Sequence, residues 1–451
     1  MRVQQWLGGG GLRRAMHAGA VPATLLGAAG GGWAVAVGNP VPVALALAIP
    51  AAALGSRLRP GHWIVVWLIA GGLFAWAPGV SLPGGVFDMT VERLVLVLVA
   101  IFTLKRSLPG TRSLWIWPLL FGIDYLMMAA FESPDYRQAQ LTFIRHYLAA
   151  FILFLVAAGC LGSATARQHV MRSSVVIGAG VAVVALLAPL FGLDFGVDAT
   201  AWGNRIAGTL ESPPVLGAAL STLLFLSLYQ LATSSLRWRV VAACGCVLMG
   251  GVILLTFTRA AWLSVLVGLA VLGVVSARKR PGVAAALIVM IVLVVMVGPN
   301  LIDSLSDDPR LHQDTNAIGR VETSLLSWQL FLQRPVFGWG PLTVVRFDST
   351  TGYGDWVSHD SFMTMLVATG LIGGLLYIGP VVFALTRGVR NVLAAEAPLR
   401  DTDAYALAGA AAYIVNALAI DMRYFAYPHV LFWLCLGMLL SRRSAPAALA
   451  A

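Results

Sequence analysis

Apolar runs of roughly 15 to 25 residues, each long enough to cross a hydrocarbon layer as a helix, dominate this chain. They fall near 18–37, 40–56, 63–80, 88–104, 114–131, 146–163, 172–191, 214–232, 238–256, 260–277, 282–298, 360–386, 403–421 and 427–441. With 59% apolar and 11% charged residues in 451, polar groups are too few to cover a water-facing surface. The expected fold is an all-α polytopic membrane protein of about 12–14 transmembrane helices, the Gly/Ala/Pro-rich first two forming one hairpin or a partly re-entrant pair. No repeat, low-complexity tract or soluble domain interrupts it, so 1–451 reads as a single integral membrane domain. The basic start MRVQQWLGGGGLRRAMH leads through one apolar run into another, which favours a retained first span over a cleaved signal peptide.

Charge gives the runs a direction. Every alternate connection is basic, including Arg57, Arg59, Lys105, Arg106, Arg112, Arg167, Arg172, Arg237, Arg239, Arg387, Arg390 and Arg400, and both termini carry arginines. The positive-inside rule assigns these connections and both termini to the cytoplasm. Short basic loops already accounted for by topology give no reason to expect nucleic acid as a partner. The opposite connections hold Arg137, Arg145, Arg205, Arg259, Arg310, Arg320, Arg334, Arg346 and Arg423 and no lysine. Arginine suits bidentate phosphate contacts, although the chain has only Lys105 and Lys279 in total and an arginine-rich genome accounts for part of that bias.

The longest polar stretch, 299–359, belongs to this outer side, and a loop of that length ordinarily carries function. Within it Val321, Leu325, Trp328 and Leu332 recur at helical spacing and Pro335 stops the run, the pattern of an amphipathic helix at the membrane interface. The loop ends in SHDSFMTMLVATGLIGG, where His359 and Asp360 stand at the mouth of a span and Ser361 is placed to cap it. A lone interfacial histidine is ordinarily structural. This one ends the long loop, adjoins a carboxylate, and has a side chain suited to accept a proton near neutral pH.

Arg205, in WGNRIAGTLESPPVLG, lies where Gly203 and Gly208 let the backbone approach a ligand. Arg259, in TFTRAAWL, occupies a turn with almost no loop, and an ionisable group there is functional or snorkels to headgroups. Asp124 and Asp421 sit within or at the end of spans, where pairing with an arginine is the plainer reading. Tyr424, Tyr427 and His429, beside Arg423, are placed to touch sugar or headgroups, or belong to an aromatic belt. The four cysteines lie in apolar runs and suggest packing. The chain has no GxxxxGK[ST], HExxH or GxSxG and no Cys/His cluster, so neither ATP hydrolysis nor a catalytic metal is indicated, and no cofactor is expected.

From about 200 to 390, the segments RIAGTLESPPVLGAAL, TFTRAAWL, the run from Arg320 through PVFGWGP, and SHDSFMTMLVATGLIGG resemble, in order, the O-antigen ligase and polymerase superfamily of bacterial inner-membrane glycosyltransferases. The histidine motif is the most specific. Thr258-Arg259 stands where many members have Ser-Arg, and His359-Asp360 where many have His-Asn or His-Ser. The resemblance implies an active site facing the periplasm, with His359 as general base and Arg205 and Arg259 holding pyrophosphate. It implies an undecaprenyl-pyrophosphate-linked glycan as donor and lipid A core as acceptor. Arg320, Arg334, Arg423, Asp360, Asp421 and Tyr424 are second-rank candidates, with no metal ligands among them. Two alternatives stay open: an O-antigen polymerase of the same superfamily, and a transporter or flippase of anionic lipid-linked sugars whose histidine relays protons.

Overall fold

The computed structural model describes residues 60–74, 80–81, 88–133, 135–191, 197–200, 203–210, 212–277, 314–341, 360–394 and 399–441. These form an all-α polytopic membrane protein with two short two-stranded ribbons. Its helices are α1 (Pro60–Leu73), α2 (Val91–Thr111), α3 (Ile116–Glu132), α4 (Tyr136–Cys160), α5 (Ala164–Leu190), α6 (Pro213–Thr233), α7 (Leu236–Leu255), α8 (Arg259–Ala277), α9 (Asp314–Gln333), α10 (Ser361–Ala394), α11 (Leu399–Ala419) and α12 (Ala426–Leu440). The ribbons are β1 (Val80–Ser81) with β2 (Asp88–Met89), and β3 (Val197–Thr200) with β4 (Gly203–Ile206). By length and composition α4, α5, α6, α7 and α10 can each cross a membrane, and shorter apolar helices accompany them. The expected spans at 18–37, 40–56 and 282–298 lie outside the described residues; each of the other eleven coincides with a helix.

The start of α4 differs from expectation. It begins at Tyr136, ten positions before the apolar run, because the Asp135 carboxylate accepts the Gln138 N–H (2.9 Å) and caps it. Arg137 and Arg145 are therefore helical, not loop residues. A π segment, Phe143–Leu148, carries the helix into its apolar part and turns Tyr147 inward against Phe121, Tyr125 and Tyr377.

Two polar knots define the ends of the bundle. At one, the buried Arg167 donates from Nε to Leu161 O (2.8 Å) and from one terminal nitrogen to Thr402 Oγ1 (2.9 Å) and Asp403. Its other terminal nitrogen reaches Met438 O (2.8 Å) and Ser441 Oγ (2.6 Å). All five guanidinium N–H groups are used. Arg167, read from sequence as an exposed loop charge, is instead a clasp joining α4, α5, α11 and α12. Arg172 over Trp238 (5.1 Å) and Asn391 donating to Leu439 O (3.0 Å) bring the starts of α5 and α7 and the ends of α10 and α12 to that same end.

At the opposite end α10 begins, and about two and a half turns later it breaks. Gly370 has φ +62° and ψ −161°, separating Ser361–Thr369 from the rest of the helix. The segment after α9, Pro335–Gly340, fills the break: Trp339 and Gly340 N–H reach Val367 and Ala368 carbonyls (2.8 and 2.9 Å), and Leu371 and Ile372 N–H reach Pro335 and Val336 carbonyls (2.7 and 3.3 Å). Backbone groups freed by the break are thereby satisfied without water. The fit requires glycine on both sides, since a Cβ on Gly370 would sit 2.3 Å from Val336 O and one on Gly338 2.5 Å from Gly370 N. Helix α9 buries Thr323, Ser327 and Phe331 and exposes Leu325, Trp328 and Leu332, so its apolar stripe faces away from the protein. That orientation suits an interfacial helix lying against lipid.

Candidate active site

Arg205 lies on β4, paired across the ribbon with Asp198. Its guanidinium reaches across to the turn between α7 and α8. Nε and one terminal nitrogen donate to Thr256 O (2.9 and 2.7 Å), and that same terminal nitrogen donates to Thr258 Oγ1 (2.8 Å). Thr256 caps the C-terminus of α7, where the helix dipole favours a cation. Arg259, the residue after Thr258, opens α8 and is exposed. A cation at a helix N-terminus gains nothing from the dipole; an anion placed there would gain from both. Two segments 54 positions apart thus put their arginines at one turn.

The start of α10 is built separately and held firmly. Asp360 Oδ1 accepts the Phe362 and Met363 N–H groups (2.8 and 3.1 Å), so the aspartate caps the helix, not Ser361 as expected. The Asp360 carboxylate reaches those donors, whereas the Ser361 hydroxyl turns away to donate to Ile420 O (3.3 Å) and accept the Met422 N–H (2.9 Å). Burial raises the Asp360 carboxyl above the usual carboxylate range and nearby Asp421 pushes the same way, against the two N–H bonds and Arg423, which lower it.

A chain of contacts joins these two parts. Thr209 Oγ1, just past β4, donates to Gly72 O at the end of α1 (2.6 Å), and Tyr427 OH donates to Leu68 O one turn earlier (3.2 Å). Tyr427 opens α12, next to the Met422–Tyr424 turn that Ser361 holds. The Arg205 ribbon, the α7–α8 turn and the start of α10 therefore share one end of the bundle.

Residues 244–378 match the family model described as O-antigen ligase. This match supports a member of the O-antigen ligase superfamily. Comparison with curated proteins gives no match. The matched segment runs from α7 through the α10 break and includes Arg259, Asp360 and the PVFGWG contact, while Arg205 and Arg423 lie outside it. At the level of class the match supports an enzyme of the glycosyltransferase-like ligase and polymerase group.

The other expected site residues fall into distinct settings. His359 lies outside the described residues, as do the side chains of Arg320, on α9, and Tyr424, in the 3-10 turn. Arg334 is exposed, bonded to Glu132 (2.6 Å) and stacked on Trp339 (4.2 Å). Arg423 is buried, bound to both oxygens of Asp421 and donating to Tyr147 OH (2.7 Å). It ties α4 to the α11–α12 connection. His429 and Tyr427, expected at the membrane surface, are core residues at 0% and 3% exposure. Trp433 Nε1–H donates to His429 Nε2 (3.2 Å), so the Nδ1 bonded to Tyr413 OH (2.8 Å) carries the proton. Gly208 packs against Ala185, where a Cβ would come within 2.7 Å, and so serves contact with α5.

Sequence reasoning missed Thr256, Thr258, Tyr147 and Glu132. Only the TFTR string carried a signal, two hydroxyls flanking an aromatic just before an arginine. Nothing in sequence ties Tyr147 to Arg423, 276 positions away.

Proposed function

We propose that the chain is an O-antigen ligase, moving a glycan from undecaprenyl pyrophosphate to a sugar hydroxyl of lipid A core in lipopolysaccharide synthesis. One observation carries this reading: Arg205 is fastened to the turn that begins α8 with Arg259, so two guanidiniums and a helix N-terminus gather where a pyrophosphate would be held. In the proposed reaction His359 takes the proton of the acceptor hydroxyl, whose oxygen bonds to the anomeric carbon as the bond to pyrophosphate breaks. Arg205 and Arg259 stabilise the charge on the departing pyrophosphate. A single displacement inverts the anomeric centre and needs neither nucleotide nor metal, since the donor is already activated. Asp360 sets the start of the helix behind His359, and Arg320 is the remaining candidate for phosphates on the acceptor.

The Arg167 end, with Arg172, Arg237, Arg239, Arg387 and Arg390, is the cytoplasmic one by the positive-inside rule. The site and the 299–359 loop then face the periplasm of a bacterial inner membrane. The test is transfer in vitro with purified protein, undecaprenyl-pyrophosphate glycan and lipid A core, comparing wild type with His359→Ala. Product in the wild type alone supports ligase and base together. Transfer at wild-type rate by His359→Ala removes the base. Lengthening of glycan chains without lipid A product makes the chain a polymerase, and donor crossing liposomes without either product makes it a transporter.

A further inference from the structure

The turn Thr256–Phe257–Thr258 is built at conformational cost. Phe257 has φ +50°, the left-handed region that bulky residues rarely enter. That value is sustained by bonds around it: Thr256 N–H to Val252 O (3.0 Å), Phe257 N–H to Leu254 O (3.1 Å), Thr256 Oγ1 to Ile253 O (2.7 Å), and Trp262 Nε1 to the same Ile253 O (3.1 Å). The outcome of the bend is that Thr256 O and Thr258 Oγ1 both face the Arg205 guanidinium. Three donors against two separate acceptors fix the plane of that group. A carbonyl and a hydroxyl orient this guanidinium by direct hydrogen bonds. Thr258 is 5% exposed and Thr256 fully buried, so neither acceptor competes with water for the arginine.

We infer that Thr258, with the Thr256 carbonyl, is a positioning residue that preorganises Arg205 for an isoprenoid pyrophosphate at the α7–α8 turn. This rests on the pyrophosphate role proposed for Arg205. The hydroxyl holds a cation from a distant ribbon at the turn carrying Arg259, so binding does not have to order that long side chain. A purely mechanical staple between ribbon and turn would serve stability and leave affinity for pyrophosphate unchanged.

The experiment measures binding of geranylgeranyl pyrophosphate to the purified full-length protein in detergent, with geranylgeraniol as the control lacking pyrophosphate. Thr258→Val, close in shape but without the hydroxyl, should bind the pyrophosphate about tenfold more weakly, while Thr258→Ser stays within about twofold of wild type. In an Arg205→Gln background, Thr258→Val should have no further effect, because the group it orients is gone. Thr258→Ala serves as a second variant lacking the hydroxyl, so poor folding of the valine form does not decide the matter. Equal affinity of wild type, Thr258→Val and Thr258→Ala overturns the inference and leaves the pyrophosphate reading standing, as does an undiminished loss in the Arg205→Gln background. A wild type that does not distinguish the pyrophosphate from the alcohol overturns both.

Discussion

Replacing Gly370 by alanine tests how the start of α10 is held. The backbone at φ +62° and ψ −161° is nearly exclusive to glycine, and forcing another residue into such a region costs about 1–3 kcal/mol. The added methyl would lie 2.3 Å from Val336 O and 2.4 Å from Val336 C, both backbone atoms with no rotamer to yield. Relief requires the Pro335–Gly340 segment to move, which puts at risk its four backbone hydrogen bonds to Val367–Ile372, each worth about 0.5–1.5 kcal/mol net. The total is roughly 3–9 kcal/mol if all four are lost. The control is Gly250→Ala: nothing lies within 4 Å of a Cβ there, and alanine in a helix interior gains about 0.5–1 kcal/mol. Thermal unfolding of the two variants in detergent, with size-exclusion monodispersity as a second readout, should show Gly370→Ala strongly destabilised and Gly250→Ala equal to or above wild type. Wild-type stability for Gly370→Ala would mean that the break is not glycine-dependent and that the loop does not brace it.

Arg167→Met should cost about 3–5 kcal/mol by removing the guanidinium from the buried Asp403 carboxylate, and Arg167→Met with Asp403→Leu should recover much of it in the same melt. Arg334→Ala, which removes a half-exposed pair with Glu132 and a stack on Trp339, should change stability by about 1 kcal/mol or less. Asp360→Ala should lose about 0.5–2 kcal/mol of cap, while Asp360→Asn keeps it. The Asp360 carboxyl is raised in the folded state, so its favourable contribution is present below the unfolded pKa and is lost as pH rises through the folded one. The advantage of Asp360→Asn over wild type should therefore grow with pH across the carboxylate range; an advantage that does not vary with pH refutes the burial argument.

The helices were legible because span-length apolar runs admit little else, and eleven of the expected spans meet a helix within the described residues. The turn bearing Arg259 was legible for the same reason: two runs met with no room between them. Polar helix ends were not. The extension of α4 back to Tyr136 depends on a local cap and a π segment that hydropathy does not register. Arginine identity was visible, but arginine duty was not. Arg205, Arg167, Arg334 and Arg423 look alike in sequence, and what separates their tasks includes, for each, an acceptor between 51 and 276 positions away. Glycine in PVFGWG and ATGLIGG signalled a constraint, while the partner of each glycine appeared only in three dimensions.

The Arg167 clasp also imposes an order in time. The chain is inserted from its N-terminus, and Asp403 follows Arg167 by 236 residues, so at ordinary synthesis rates the guanidinium waits on the order of tens of seconds for its counter-charge. Met438 and Ser441, which take its last donors, arrive later still. Until then α5 begins with a cation that has no place in the protein interior, and a chain stopped before α11 never acquires one. Closure of that end of the bundle therefore waits for α11 and α12, which with Ser441 just past α12 supply four of the clasp's five acceptors.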